Sequence, residues 1–183
     1  MPSVKEHNEQ AAAAYAAVSG RYWIESLKDG RHVLIRPLTE RDREREYAFV
    51  KRLAANSSHM RLLTPGYAPG TPVPSQYNKK RLAFGALIHD HGTLIDIGIS
   101  RYAIVNPHTC ECAVTVADEW RRMHLGHLLM KHLIKAAHKN GFRQMTLTDA
   151  ASNTAMQHLA RAMGFMSCHD PADHTLVTHQ LHM

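Results

Sequence analysis

The residues whose types and spacing could do chemistry lie between positions 111 and 127. Glu111–Ala117 reads as a strand, residues 118–124 as a turn, and a helix is predicted from Leu125. A strand that runs into a helix N-terminus makes an anion site. The first backbone N–H groups of the helix have no intrahelical acceptor, and the helix dipole adds partial positive charge. Arg121 and Arg122 stand in the turn and strengthen that field. A diphosphate is the kind of ligand this geometry holds. The same residues also suit an ordinary strand-to-helix connection with two solvated arginines, and spacing alone leaves both readings open.

Metal chemistry has weaker support. Cys110 and Cys112 would place both sulfurs on one face of a strand, with His108 nearby. No second cysteine pair completes a zinc set, so no metal is expected. His124 and His127, three apart on a helix, read as solvated or packed residues. Three cysteines make no disulfide framework, and free thiols fit a reducing compartment, so a cytoplasmic protein is expected.

Composition narrows the class. A chain of 183 residues with 44% apolar and 21% charged residues is one domain with a core. No apolar run approaches the roughly 18 residues needed to cross a membrane, and Lys5, Glu6 and Glu9 stand where a signal peptide would be apolar. The net charge of +6 suits an anionic partner or a phosphorylated cofactor. Basic residues are spread along the chain and aromatics are only 7%, so nucleic acid ranks last and is not expected.

The elements that must position these residues follow from pattern. Residues 3–19 read as an Ala-rich helix with a thin apolar face, expected to dock weakly or fray before Gly20. Tyr22–Leu27 and His32–Pro37 flank Lys28-Asp29-Gly30-Arg31, a hairpin signal. Thr39 caps a helix expected to reach about Ala54, with Tyr47, Val50 and Leu53 facing the core. Residues 64–74, with Pro65, Pro69, Pro72 and Pro74, form a loop, and Ser75–Leu82 a short helix. Phe84–Ile88, Thr93–Val105 and Glu111–Ala117 are three consecutive antiparallel strands. Leu125–Asn140 is the clearest helix, with a stripe of Leu125, Leu128, Leu129, Leu133, Ala136 and Ala137, and Lys131, Lys135 and Lys139 opposite. Gln144–Thr148 is a strand, Ser152 or Asn153 caps a helix ending before Gly164, and Phe165–Cys168 and Thr175–Leu181 close the chain as strands.

The stretch Val116-Ala117-Asp118-Glu119-Trp120-Arg121-Arg122-Met123-His124-Leu125-Gly126-His127 resembles the coenzyme-A signature of the GNAT acetyltransferase superfamily, Gln/Arg-x-x-Gly-x-Gly/Ala at a helix start. Asn153, Leu159 and Gly164-Phe165 resemble the family's next motif. Ile35-Arg36-Pro37, Arg41-Asp42, Ser57-Ser58-His59-Met60-Arg61, Arg101-Tyr102, Glu111-Cys112-Ala113-Val114 and Asp170-Pro171-Ala172-Asp173 follow the order of the acetyltransferase domain of bacterial protein-lysine acetyltransferases. The resemblance covers residues 33–181.

It implies an α/β (α+β) fold, a mixed, mostly antiparallel sheet of about six to seven strands flanked by helices. Residues 21–183 would form the domain, with 1–20 as a helical extension. Acetyl-CoA would lie in a split of the sheet. The pantetheine would pair with Val114, Thr115 and Val116, and the diphosphate would take N–H groups around Arg121, Arg122, Met123, His124, Leu125, Gly126 and His127. Asn153 would touch the pantetheine end. The acceptor would be an amine, either a small molecule or a protein lysine, and variable loops such as 57–75 would line its pocket. No membrane partner is implied, and the oligomeric state is not readable.

Amine attack on a thioester needs a base, because an ammonium has no lone pair. The resemblance places Glu111 in that role, with a pKa raised by burial. The alternative is a strand glutamate paired with an arginine such as Arg101. Backbone N–H near Val114 would meet the thioester oxygen as charge develops. Two positions depart from the family. Ala160 stands where many members carry a tyrosine general acid. His124 replaces the first signature glycine, where an ordinary backbone shape and an outward ring are expected. That residue could donate its N–H and help bind phosphate, or it could block the site. A non-catalytic acetyl-CoA-binding sensor is therefore the second reading.

Overall fold

A computed structural model describes residues 3–18, 20–56 and 78–183. Their element order is α1 (Val4–Ala16), β1 (Trp23–Ser26), β2 (His32–Pro37), a 3-10 turn (Glu40–Asp42), α2 (Arg43–Asn56), β3 (Arg81–Asp90), β4 (Thr93–Asn106), β5 (Thr109–Val116), a second 3-10 turn (Asp118–Trp120), α3 (Leu125–Lys139), β6 (Gln144–Ala150), α4 (Thr154–Ala162), β7 (Met166–His169) and β8 (Leu176–His182). The predicted loop 64–74 and the motif Ser57–Arg61 lie outside the described residues.

One sheet of eight strands runs in the order β1-β2-β3-β4-β5-β6-β8-β7. That is one more strand than the upper count the resemblance implied, because both hairpin strands at the start and both closing strands join it. Every neighbouring pair is antiparallel except β5 and β6. A parallel pair needs a long crossover, and here α3 supplies it. The stripe Leu125, Leu128, Leu129, Leu133 and Ala137 is buried, as the periodicity predicts, and Ala136 at its edge is partly buried. Gly98 on β4 lets α3 approach, since an added Cβ would sit 2.9 Å from Leu129 Cδ1.

Three local expectations need correction. Tyr47 is 60% exposed, whereas Glu46, Phe49 and Leu53 are buried. The inward stripe therefore starts one residue earlier, because Arg101 draws the Glu46 carboxylate in at 3.2 Å. Residues 78–82 are not helical. Asn78 Oδ1 accepts from the N–H groups of Lys80 and Arg81, closing a turn, and β3 starts at Arg81. The first helix ends at Ala16 and docks through more than its apolar face. Ala11 and Tyr15 pack with Leu34 and Leu87. Asn8 also brackets the hairpin, donating to Gly30 O at 3.0 Å and accepting from His32 N–H at 2.8 Å. Hydrogen bonds to the hairpin backbone add a directional hold that hydropathy does not register.

Beside α2 lies a buried ionic cluster. Arg36 and Arg45 both donate to Asp42, and Arg45 Nε reaches Asp96 Oδ2 at 2.7 Å. Burial acts to raise the Asp42 pKa, but hydrogen bonds from Arg36 and Thr39 and the two guanidinium charges outweigh it and hold the carboxyl at about 2. Asp96 behaves oppositely: burial outweighs Arg45 and pushes it to about 6. Between its ordinary value of 3.8 and 6, the folded chain holds a proton on Asp96 that the unfolded chain has released. Stability contributed by this group therefore falls as pH rises through that window, by roughly 2–3 kcal/mol. Urea unfolding at pH 4 and pH 6.5 should show this fall, and Asp96→Asn should remove it. An unchanged fall in the variant would assign the effect to other groups.

Candidate active site

The β5–β6 pairing lasts three rungs, Thr109 with Gln144, Cys110 with Met145 and Glu111 with Thr146. Beyond Glu111 the two strands part, although β5 continues to Val116 and β6 to Ala150. Val114, Thr115 and Val116 thus pair with β4 on one side only. Their free edge offers backbone donors and acceptors to an extended ligand.

Glu111 stands at the apex of this split. It is half-buried, and burial raises its pKa above the ordinary carboxylate range. Cross-strand register puts Arg101 and Glu111 on one face, but the Arg101 guanidinium goes to Glu46 at 3.2 Å. The expected alternative of a Glu111–Arg101 pair is therefore not formed. Glu111 has no ion-pair or hydrogen-bond partner for its carboxylate among the described residues.

The loop after β5 carries an unusual backbone. Arg122 has φ 61° and His124 has φ 73°, both left-handed. This corrects the expectation that a histidine keeps an ordinary backbone shape. His124 adopts the conformation that glycine adopts freely, at a cost of about 1–2 kcal/mol for a residue with a Cβ. It then serves as the N-terminal cap residue of α3, and its side chain makes no capping bond. Its ring lies stacked on His127, with centroids 4.3 Å apart. Alternating backbone sign across Arg122, Met123 and His124 builds a concavity of N–H groups of the kind that cradles anions.

Around this concavity, Leu125 is buried and Arg121 pairs with Asp118 at 2.7 Å. At Gly126 an added Cβ would meet Leu159 Cδ2 at 3.3 Å and Val116 Cγ2 at 3.9 Å, so the missing side chain lets α4 and β5 pack closely on the helix start. Asn153 caps α4, accepting from Met156 N–H at 3.1 Å and donating to Asp149 at 2.7 Å. Ala160 is buried and supplies no proton donor. Cys110 and Cys112 are buried on one sheet face, and burial pushes the Cys110 thiol to about 12. The described residues hold no group of three or more His, Cys, Asp or Glu arranged for a metal ion. No described helix is long and apolar enough to cross a membrane.

The structure adds a contact that spacing did not suggest. Lys28 N–H, in the β1–β2 turn, donates to Met123 O at 3.3 Å. Arg31 lies over the Trp120 ring at 4.0 Å, and Glu25 meets buried His132 at 2.7 Å. These pairs bridge segments about a hundred residues apart, and no local pattern announces such a pairing.

Residues 21–165 match the family model described as Acetyltransferase (GNAT) family. An acetyltransferase of Pseudomonas aeruginosa is 46% identical over 179 residues, covering 95% of this chain and 96% of that protein. Among solved structures, the GNAT domain of S. lividans PAT superposes with a TM-score of 0.70 at 18% identity, over 88% of this chain and 97% of that one. The yncA protein of Salmonella typhimurium, solved with its cofactor acetyl-CoA, gives 0.61 at 15% identity over 82% and 93%.

Proposed function

This chain belongs to the GNAT family of acetyltransferases, and from that premise we propose that Glu111 serves acetyl transfer from acetyl-CoA held in the β5–β6 split to an amine acceptor. The observation that carries this reading is the position of Glu111 at the last paired rung, with its carboxylate uncommitted. The free edge at Val114–Val116 suits the amides of a pantetheine arm. The concavity from Arg122 to His127, with Arg121 beside it, suits a diphosphate. Asn153 closes the pantetheine end through the α4 cap.

The thioester supplies the acetyl carbon. Glu111 removes a proton from the acceptor ammonium, directly or through water, and a raised pKa brings the base closer to working pH. N–H groups on the open edge near Val114 face charge developing on the thioester oxygen. With Ala160 in place of a donor, the thiolate leaves without a side-chain acid from that position. A protein lysine is the finer acceptor proposal, supported by the motif order around Ile35-Arg36-Pro37 and Glu111–Val114. The segment 57–75, where the acceptor pocket was expected, lies outside the described residues.

Calorimetric titration with acetyl-CoA should show saturable micromolar binding, and a lysine-containing peptide should then release free thiol. No binding of acetyl-CoA would overturn the reading. Binding without thiol release across a panel of amines would favour the sensor, the reading to which Ala160 lends weight.

A further inference from the structure

Positive charge gathers at the mouth of the α3 loop from two distant parts of the chain. Lys28 comes from the β1–β2 turn, while Arg122, His124, His127 and Lys131 come from the loop and the first turns of α3. Residues 124, 127 and 131 recur at three- and four-residue spacing and share one helix face. Lys28, Arg122 and Lys131 carry the charge here, the two imidazoles add ring N–H donors, and none of the five side chains has a carboxylate partner among the described residues. Glu25, an acid whose charge reaches His124, is held by His132 at 2.7 Å. Geometry joins the two parts: Lys28 N–H bonds Met123 O at 3.3 Å, next to His124, and the His124 ring stacks on His127 at 4.3 Å, while burial first and then nearby His127, Lys28 and Lys131 lower the His124 pKa.

The turn that carries Lys28 is fixed in place. Its backbone bonds to Met123 O, and the neighbouring Arg31 is held between Asp29 at 2.7 Å and the Trp120 ring. Lys28 is itself exposed. A diphosphate needs two charges matched, and the α3 N-terminus with Arg122 provides for that. Lys28, Lys131 and the two imidazoles are surplus to it. Coenzyme A carries a third phosphate, a monoester on its ribose, and a phosphomonoester holds about −1.5 to −2 charge at pH 7. Lysine binds such a group as a point charge.

We propose that Lys28, with His124, His127 and Lys131, holds the 3′-phosphate of coenzyme A, so that this enzyme selects the coenzyme over its dephosphorylated form. The proposal rests on the coenzyme reading above. The turn of the first hairpin then becomes part of the coenzyme site, joined to α3 across the outer surface of the loop.

Calorimetry with CoA and dephospho-CoA, which differ only by that phosphate, tests it on the full chain. The wild type should bind CoA about tenfold or more tightly than dephospho-CoA. Lys28→Met should lower CoA affinity by about tenfold and leave dephospho-CoA affinity nearly unchanged. Lys131→Met, on the other element, should erode the same preference. Equal affinity of the wild type for both ligands would overturn the proposal and leave the coenzyme site standing. Equal weakening of both ligands by Lys28→Met would also overturn it, by assigning Lys28 to the diphosphate. Binding of neither ligand by the wild type would remove the coenzyme reading and this proposal together.

Discussion

Glu111→Gln is expected to lower kcat by roughly 10²- to 10⁴-fold, the usual contribution of a positioned general base. Glutamine keeps the size and polarity of the side chain but cannot take a proton. The loss should therefore fall on turnover with acceptor, while acetyl-CoA still binds. A pH profile separates this role from a structural one. In the wild type, the acidic limb of kcat/KM should lie above the range of solvated carboxylates, because burial raises Glu111. The direction follows from the chemistry: the base works only when ionised, so activity rises as pH climbs through its pKa. In the variant that limb should vanish. A variant that retains more than about a third of wild-type kcat would exclude Glu111 as the base, given the range above.

Asp42→Ala is expected to cost about 3–5 kcal/mol, the penalty for stripping one partner from a buried ion cluster. Asp42 is 3% exposed and accepts from Arg36, Arg45, the Thr39 N–H and the Thr39 hydroxyl. Its removal leaves two guanidinium groups facing Asp96 alone, and it opens the turn that starts α2. For a chain of this size the melting temperature should fall on the order of 10 °C. Part of the wild-type advantage is itself pH-dependent. Asp42 titrates at about 2 in the fold and at 3.8 ordinarily, so its contribution is present above pH 4 and lost as pH falls towards 2. Between pH 5 and pH 2 the gap between the variant and the wild type should narrow by about 2 kcal/mol. A loss below about 1 kcal/mol at neutral pH would show that solvent already screens the cluster.

Much of this fold was legible because its signals are local. The Asp29-Gly30 turn, the apolar stripe of α3 and the Asn153 cap each depend on residues a few positions apart, and each appears where pattern places it. The α2 stripe was misjudged by one residue because Glu46 is buried by a partner on β4. Hydropathy counts a glutamate as outward, and only the arginine that satisfies it reverses that. The helix expected over 75–82 failed where it is described for a similar reason: Asn78 bonds backbone ahead of it and favours a turn.

By itself, the sequence determined most of the elements and their order, though not the segment before β3, together with the glutamate on β5 and the arginine-rich turn before α3. Those follow from periodicity, turn chemistry and motif spacing. Only the tertiary structure decided that β5 and β6 part directly after Glu111, that Arg101 belongs to Glu46, and that Lys28 lies against the loop before α3. It also decided the backbone of His124, which enters a left-handed conformation that its residue type disfavours. The cost is small beside the packing of α3 against β4, so the surrounding fold sets that dihedral, and the residue follows.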